Sequence, residues 1–599
     1  MNVRLGGFIP PVAVSVGTFF AHLPLAYLGF DSHHNGLMLA TATGVAQGKA
    51  IHSEVFTQYG PITSWFQALF VLVGNGSAIA LTLWATILIS LTAGIVAAVP
   101  NVAPRGFGIS HRISVPASIL WVLVSPSWAM GGIQAWSSLL ATFLLVTASL
   151  FVLLGIRMRE GRQPSNARFP WTVAGALIGV LPFTRINVGI ILWFLMLIAF
   201  AVFWKSRAWN PSDKRVFIAG WAASASLVLL ILSLSHSIGD YVDQGIVTPF
   251  LWAAVGESNW EYFFGLFWSD ITYLSGRALP LALAAVLLVR FVSPKLLRPV
   301  PKALLRLVVV VLATSSFLFA VKAQRIVDWY RGFGPDSQET AVFWAGDEPH
   351  LAIWFFFFLS VMMVPTALGF ALAKFRATAT KVPASVFLGY SFLIVGAASN
   401  LVQIHPLGDI YHLWWGSPLL FLGLVKALSF LQKNSQLWTW SPALLLLLAI
   451  QITAVIPQFI ARDHSGPAGT VVENVRMTQE ASLYLEGLRK LKTTALDPDE
   501  EALYFVQMGI EVVIDGNFNS VNPIFVSWAM RDSQPPGIDV WSGKTVIDYP
   551  GLKHFGYQNF EALAIEFGLE VVSCSYAAEP YYFPNWDTNN PYICVLKPS

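Results

Sequence analysis

Long apolar runs alternate with short polar, charged segments along the first three quarters of the chain. The runs recur as far as about residue 456, and most are long enough to cross a hydrocarbon core of ~30 Å as a helix. A further apolar segment, residues 61–74, is only about 14 residues long, which favours a helix lying at the membrane interface. The pattern predicts thirteen spans, at residues 9–30, 77–99, 114–131, 135–155, 170–183, 187–204, 216–236, 275–293, 304–322, 351–373, 383–400, 417–432 and 437–456.

The pattern changes after residue 456, where ordinary polarity and mixed charges indicate a soluble domain. Its helix-like segments are 479–492 and 559–567, and its strand-like segments are 511–514, 569–576 and 592–596. The predicted fold class is therefore an α-helical polytopic membrane protein with a small α/β extracytoplasmic C-terminal domain. The predicted boundary separates a transmembrane domain, 1–456, from the soluble domain, 457–599.

The composition excludes an ordinary soluble protein. Of 599 residues, 55% are hydrophobic and only 12% are charged, against about 25% charged in a typical soluble domain. The first apolar segment is long enough to span and has no small-residue cleavage site after it, so we interpret it as an anchor and not as a cleaved signal peptide.

The distribution of Lys and Arg predicts the orientation of the chain. With the N-terminus in the cytoplasm, the inner loops and ends up to residue 456 collect 20 Lys and Arg, against 6 on the outer side. Cytoplasmic loops retain such an excess of positive charge. An odd number of spans then places the C-terminal domain outside, and we expect the protein to reside in a membrane, most simply a bacterial plasma membrane.

The most informative motif follows the first span directly. It consists of Asp31-Ser32-His33-His34-Asn35-Gly36, then Gly48-Lys49, then Gln58-Tyr59-Gly60-Pro61. An acidic residue at the outer end of the first helix, a short helix, a Gly-Lys turn and a Tyr-Gly-Pro entry into an interfacial helix resemble the GT-C class of membrane glycosyltransferases. Members include protein O-mannosyltransferases, aminoarabinose transferases and arabinofuranosyltransferases.

The resemblance implies an enzyme that takes its sugar from a polyprenyl-phosphate donor and passes it to a hydroxyl of a glycan, lipid or protein acceptor. Such a reaction needs a base for the attacking hydroxyl and a cation for the departing phosphate. Asp31 is the candidate base, and the alternative is that it only caps the following helix. Arg185 interrupts an apolar stretch, where an unpaired cation is costly, and it resembles the cation that relatives place near the donor phosphate. The alternative for Arg185 is snorkelling to lipid headgroups.

Further polar residues of the outer loops are candidates for substrate binding. His33 and His34 point to different sides of a helix, which disfavours joint metal chelation, so no metal and no cofactor is predicted. Asp409 and His412 are three residues apart and can share a helical face next to Trp415; an aromatic belt with a buried polar pair is the alternative. The substrate-binding candidates are His33, His34, Lys49, Gln58, Tyr59, Asp240, Asp243, Asp409, His412 and Trp415.

The two cysteines of the chain, Cys574 and Cys594, both fall in predicted strands of the C-terminal domain. A disulfide would suit an oxidising compartment, and two buried thiols are the alternative.

Three other functions stay open on the sequence, one of which is a catalytically inert scaffold that binds glycans. A transporter or flippase would also have many spans, although no internal repeat or matched broken helices are evident. A ligase or polymerase of the O-antigen type would share the lipid-linked donor, but its main catalytic loop is expected late in the chain. Membrane lipids are expected partners in every case, and nucleic acid is not.

Overall fold

The computed structural model describes residues 7–30, 34–57, 59–130, 132–161, 167–203, 209–247, 384–404, 410–431 and 462–495, with shorter pieces between 448 and 460 and at 502–505, 512–513, 516, 545–548, 569–576 and 592–598. Helices dominate the described residues before 432. They are α1 (Ile9–Ala26), α2 (His34–Ala46), α3 (Pro61–Val73), α4 (Ala78–Val102), α5 (His111–Leu123), α6 (Ser127–Met130), α7 (Ser137–Glu160), α8 (Arg168–Val180), α9 (Ile186–Phe203), α10 (Pro211–Leu234), α11 (Ile238–Val242), α12 (Ala384–Leu401), α13 (Ile410–Gly416) and α14 (Pro418–Leu431).

The apolar pattern predicted where these helices lie. Within the described residues, four helices are long and apolar enough to cross a membrane, namely α1, α4, α7 and α10. Five shorter ones, α5, α8, α9, α12 and α14, also overlap predicted spans. The predicted spans 275–293, 304–322 and 351–373, and most of 437–456, lie outside the described residues, so the total of thirteen remains a prediction.

Hydrogen bonds at both ends of α1 and α4 show that these two helices run antiparallel. The amide of Asn101 at the end of α4 donates to the Gly7 carbonyl before α1, at 2.6 Å. At the opposite end of the same pair, the Thr82 hydroxyl donates to the carbonyl of Ala26 at 2.7 Å. The bundle therefore has two distinct ends. We call the end at Asn101 the basic end and the other the Arg185 end.

The basic end collects most of the described cations of the helical region. Arg159 at the end of α7 donates to the buried Asp213 at the start of α10, with an Nε–Oδ2 distance of 2.6 Å. Glu160 accepts from the Arg105 backbone N–H at 2.8 Å. Cations at or next to the helix termini of this end are Arg105, Arg112, Arg157, Arg159, Arg168, Lys214 and Arg215.

The predicted interfacial segment is a helix, α3, with an inverted distribution of polarity. Its buried face includes Thr63, Ser64 and Gln67, whereas Phe66, Leu69, Leu72 and Val73 are exposed. Exposed apolar side chains opposite a polar buried face fit contact with lipid, since exposure to water would be unfavourable. Placement of α3 at the membrane interface remains a prediction.

The C-terminal region contains a helix and a four-stranded sheet. The predicted helix at 479–492 is present as α15 (Gln479–Ala495). Two short strands, β1 (His464–Ser465) and β2 (Arg476–Met477), pair with each other, and the larger sheet has the order β3 (Ala502–Phe505), β4 (Thr545–Asp548), β6 (Tyr592–Pro598) and β5 (Leu569–Tyr576). The division at residue 456 remains a prediction.

The prediction of a strand at 511–514 is wrong for its described residues. Val512 and Val513 are helical, and the Gly516 N–H donates to the Val512 carbonyl at 2.8 Å. Gly516 has φ +68°, the left-handed conformation with which glycine commonly ends a helical turn. Local β propensity of two valines was overridden by this turn. The predicted helix at 559–567 lies outside the described residues.

The register of β5 and β6 places Cys574 directly opposite Cys594 in an antiparallel pair. Opposed Cα atoms in such pairs are about 4.5 to 5.5 Å apart, inside the range that disulfides span. We therefore expect the two cysteines to be bonded in protein isolated without reductant.

Thiol labelling of the denatured protein tests this expectation. No label should be taken up before reduction and two labels after it, and Cys574→Ser with Cys594→Ser should lower the free energy of unfolding by about 3 kcal/mol. Labelling before reduction would instead establish two thiols.

Candidate functional site

Only part of the predicted site can be located. Asp31, His33, Gln58 and Asp409 lie outside the described residues, as does the side chain of His34. Of the predicted residues that the structure describes, Lys49 and Asp240 are half-buried and Asp243 is exposed. Within the described part of the chain, no group of three or more His, Cys, Asp or Glu residues is arranged to hold a metal ion.

Arg185 and Tyr59, predicted independently, lie next to each other at the Arg185 end. Arg185 is buried, and its Nη1 donates to the Ser137 hydroxyl at 3.1 Å. The guanidinium carbon lies 5.7 Å from the centre of the Tyr59 ring, in the range of a cation–π contact. Tyr59 in turn packs edge to face on Trp136 with ring centres 4.9 Å apart. The cation is thus held by a hydroxyl and an aromatic face.

Three helices begin around this guanidinium group. Tyr59 lies two residues before α3, Ser137 is the first residue of α7, and Arg185 directly precedes α9. The helix dipole makes such N-termini electropositive. The cation and the three helix N-termini together favour an anion at this position.

Close backbone contact fixes the turn that carries Arg185. The Ile62 N–H donates to the Phe183 carbonyl at 3.0 Å, and the Thr63 hydroxyl donates to the Thr184 carbonyl at 3.3 Å. A Cβ atom on Gly60 would lie 2.0 Å from the Phe183 carbonyl oxygen. Only glycine allows this approach of α3 to the turn without displacement.

The chain is anchored on both sides of residues 31–33. On the N-terminal side, the Arg476 N–H donates to the Tyr27 carbonyl, and the Gly29 N–H donates to the Arg476 carbonyl, each at 2.7 Å. On the C-terminal side, the buried amide of Asn35 donates to the Ile133 carbonyl at 3.1 Å and accepts from the Ala135 N–H at 2.9 Å. The segment that leads to Trp136 and Ser137 is therefore tied to Asn35, a residue of the motif that begins with Asp31.

The helical segment after α10, made of α11 and a π-helical turn (Asp243–Val247), contacts the first outer loop. Gln244 donates from Nε2 to the His52 carbonyl at 2.7 Å, and its Oε1 lies 3.2 Å from both His52 Nδ1 and the Thr57 backbone nitrogen. Tyr241 packs on His52 with ring centres 5.1 Å apart, and its hydroxyl donates to the Pro182 carbonyl at 3.2 Å. These contacts join the helical segment that carries Asp240 and Asp243, the first outer loop and the Arg185 turn.

Burial makes His52 a source of pH-dependent stability. It lowers the pKa of His52 from 6.5 to about 4, against smaller opposing effects of hydrogen bonds with Gln244 and Thr57. Between these values the unfolded chain binds a proton that the folded protein does not, so stability falls as pH falls from about 6.5 to about 4, by about 3 kcal/mol in total.

His52→Asn should therefore flatten the dependence of the unfolding temperature on pH over this range. Asn tolerates the positive φ of 69° at this position. His236→Asn is the matched control, because His236 also has a positive φ, 54°, but is exposed. Equal pH profiles for the wild type and the His52 variant would contradict the expectation.

A second polar cluster joins α7 to the segment around residue 412. The buried His412 packs edge to face on Trp415, with ring centres 5.1 Å apart. The Thr142 hydroxyl of α7 donates to the Trp415 carbonyl at 2.8 Å. Asn187, two residues after Arg185, donates to the Val402 carbonyl at 3.4 Å. Two of the predicted substrate-binding residues, His412 and Trp415, thus lie in the same part of the bundle as Arg185.

Several residues of the site were not predicted from the sequence. For most of them the available signal was a polar side chain inside an apolar helix, because such a group is costly unless it forms hydrogen bonds. The residues are Asn35, Gln67, Ser137, Ser138, Thr142, Gln244, Asn400 and Gln403.

No protein-family model and no curated protein sequence matches the chain. Among solved structures, the chain is similar to the aminoarabinose transferase ArnT from Cupriavidus metallidurans bound to undecaprenyl phosphate. The two sequences are 13% identical, the match covers 99% of this chain and 98% of that chain, and the TM-score is 0.46. It is also similar to the archaeal oligosaccharyltransferase AglB from Archaeoglobus fulgidus in complex with an inhibitory peptide and a dolichol-phosphate. The two sequences are 12% identical, the match covers 92% of this chain and 69% of that chain, and the TM-score is 0.45.

Proposed function

We propose that the protein is a membrane glycosyltransferase that moves a sugar from a polyprenyl-phosphate donor to a hydroxyl of a glycan, lipid or protein acceptor. The observation that carries the proposal is the buried Arg185 guanidinium at three helix N-termini, held by Ser137 and Tyr59. The positive charge and the helix N-termini around it favour an anion here, and the phosphate of a lipid-linked donor is such an anion.

The proposed reaction is a single displacement at the anomeric carbon. The acceptor oxygen forms the new bond to that carbon while the bond to the phosphate oxygen breaks, with inversion of configuration. Asp31 takes the proton of the attacking hydroxyl, and the polyprenyl phosphate leaves with its negative charge next to Arg185. Arg185 stabilises the charge that grows on the leaving phosphate, which is where a fixed cation accelerates such a step.

The remaining predicted residues have positioning roles in this proposal. Lys49, Tyr59 and the motif residues His33, His34 and Gln58 contact donor or acceptor near the first outer loop. His412 and Trp415, with Asp409, contact the sugar from the other side of Arg185. Asp240 and Asp243 orient the acceptor from the helical segment that Gln244 joins to the first outer loop.

We infer that the Arg185 end faces outward from a bacterial plasma membrane. The excess of cations at the basic end supports this orientation, because cytoplasmic ends retain Lys and Arg. The N-terminus is then cytoplasmic, the C-terminal domain is extracytoplasmic, and the donor enters laterally from the outer leaflet.

Turnover of a defined donor tests the proposal. Purified protein in lipid vesicles is given a panel of polyprenyl-phosphate hexoses and pentoses with an extract of envelope glycans and lipids. Release of sugar-free polyprenyl phosphate, measured by mass spectrometry, and appearance of a glycosylated product are expected for one donor class. Passage of a lipid-linked substrate across the vesicle membrane without cleavage would instead support a transporter.

A further inference from the structure

Three buried polar atoms near Arg185 have no hydrogen-bond partner among the described residues. They are Ser138 Oγ, Gln403 Oε1 and Trp415 Nε1. The exposed fraction is 0% for Ser138 and Gln403 and 1% for Trp415. A polar atom that is buried without a partner costs about 1–3 kcal/mol, so three such atoms in one region point to a polar group that is bound there in the working protein.

One hydrogen-bonded network brings these residues together. The Thr142 hydroxyl donates to the Trp415 carbonyl at 2.8 Å and accepts from Gln403 Nε2 at 3.0 Å. Asn400 Nδ2 also donates to the Trp415 carbonyl, at 3.1 Å. Ser138 lies one helical turn before Thr142, and residues at that spacing are neighbours about 5–6 Å apart on one helix face. Thr142 therefore contacts both Gln403 and Trp415 and lies one helical turn from Ser138, so the three residues are close to one another.

The network borders the residues that hold Arg185. Ser138 follows Ser137, whose hydroxyl accepts from Arg185. Gln403 follows Val402, whose carbonyl accepts from Asn187, two residues after Arg185. A group bound by Ser138, Gln403 and Trp415 would lie beside whatever anion binds Arg185.

The chemistry of the three atoms defines the class of ligand. Trp415 Nε1 can only donate, Gln403 Oε1 can only accept, and the Ser138 hydroxyl can do either. A hydroxyl group can form a hydrogen bond with each of them. An anion would be repelled by the Gln403 oxygen, and none of the three side chains carries a negative charge to pair with a cation. We propose that Ser138, Gln403 and Trp415 form a subsite for the hydroxyls of the donor sugar, which rests on the proposed function for Arg185 as the phosphate site.

A pair of adjacent tryptophans gives a matched test of the unpartnered N–H. Trp414 Nε1 donates to the Trp121 carbonyl at 2.8 Å, whereas Trp415 Nε1 has no partner within the described residues. Trp→Phe removes the N–H at either position. In protein without donor, Trp414→Phe should lower the unfolding temperature, because the Trp121 carbonyl loses its donor, and Trp415→Phe should lower it much less. An equal loss at both positions would show that Trp415 is already satisfied, for example by fixed water, and would overturn the subsite.

Affinity for sugar-bearing and sugar-free lipid then tests the ligand. Binding of polyprenyl phosphate with and without its sugar is measured for the wild type, Trp415→Phe, Ser138→Ala and Gln403→Leu. Each variant should weaken binding of the sugar-bearing lipid by about 3- to 10-fold, the effect of one neutral hydrogen bond, and leave binding of the sugar-free lipid unchanged.

The outcomes separate the subsite from the proposed function. If the wild type turns over a donor and all three variants bind the sugar-bearing lipid as tightly as the wild type does, the subsite is overturned and the glycosyltransferase assignment stands. Sugar-dependent binding that the three variants weaken, without turnover of any donor, would support the subsite and count against the enzyme. If the wild type binds sugar-bearing and sugar-free polyprenyl phosphate equally tightly for every sugar tested, the subsite is overturned as well.

Discussion

Replacing Asp31 with Asn is expected to slow sugar transfer by about 10²- to 10⁴-fold, the usual contribution of a positioned general base. Asn has nearly the shape of Asp, but it cannot accept the proton of the attacking hydroxyl. Donor binding should change little, because the phosphate contact is assigned to Arg185. The expected signature is a loss in kcat with nearly constant KM, together with loss of the acidic limb of the pH–rate profile.

The experiment compares initial rates of the wild type and Asp31→Asn in lipid vesicles, with unfolding temperature as the check on folding. Asp463→Asn is the matched control, since Asp463 is an exposed carboxylate to which no role in sugar transfer is assigned. A folded Asp31→Asn protein that keeps the wild-type rate would exclude Asp31 as the base. The base would then have to be sought at Asp240 or Asp409.

Replacing Arg185 with Met is expected to lower kcat/KM by about 10²-fold or more. Removing one member of a buried charge pair costs about 2–5 kcal/mol, and here the lost charge is the one assigned to the donor phosphate. KM should rise and kcat should fall, because the phosphate carries negative charge in the bound donor and gains more negative charge as it leaves. Arg185→Lys should be intermediate, since it keeps the charge but not the planar fork that reaches Ser137.

Binding of sugar-free polyprenyl phosphate measures the phosphate contact without turnover. Arg157→Met is the matched control: Arg157 donates to the Pro100 and Asn101 carbonyls at the basic end, so its loss should affect stability and not donor binding. Arg185→Met protein that binds polyprenyl phosphate as tightly as the wild type would contradict the assignment. Arg185 would then have a structural role with Tyr59.

The two variants also separate the two roles in the mechanism. Asp31→Asn should bind the donor and fail to transfer, whereas Arg185→Met should fail at binding as well. Identical defects in both variants would indicate damage to a common structure, and the contacts of Asn35 with the segment before Trp136 would be the first candidate.

Prediction from sequence worked where one physical property acts along the chain. Apolar runs located the described helices because every backbone polar group in a membrane must be paired within its own helix. Arg185 was recognisable for a related reason, since a cation inside an apolar stretch is costly in free energy unless it interacts with another polar or charged group. The prediction at 511–514 was wrong because the valine pair was judged by local propensity, while a glycine turn three residues later set the conformation.

The partners of Arg185 required the folded chain. Ser137 lies 48 residues away and Tyr59 lies 126 residues away in the sequence, and neither distance nor spacing marks them as neighbours. Their contact depends on how α3, α7 and α9 pack, and on the space that Gly60 leaves for the Phe183 carbonyl. The polar network of Thr142, Gln403 and Trp415 likewise joins segments more than 250 residues apart.

Hydropathy and charge along the chain were thus enough to assign a polytopic membrane protein, most of its described helices and one buried cation, because these follow from the free energy of placing each segment in lipid or water. Packing between distant helices was needed to show which polar groups surround that cation and which of their atoms are unpartnered within the described residues. Hydrogen bonds act only over about 3 Å, so a group's partner depends on three-dimensional position, which the local pattern of residues does not contain.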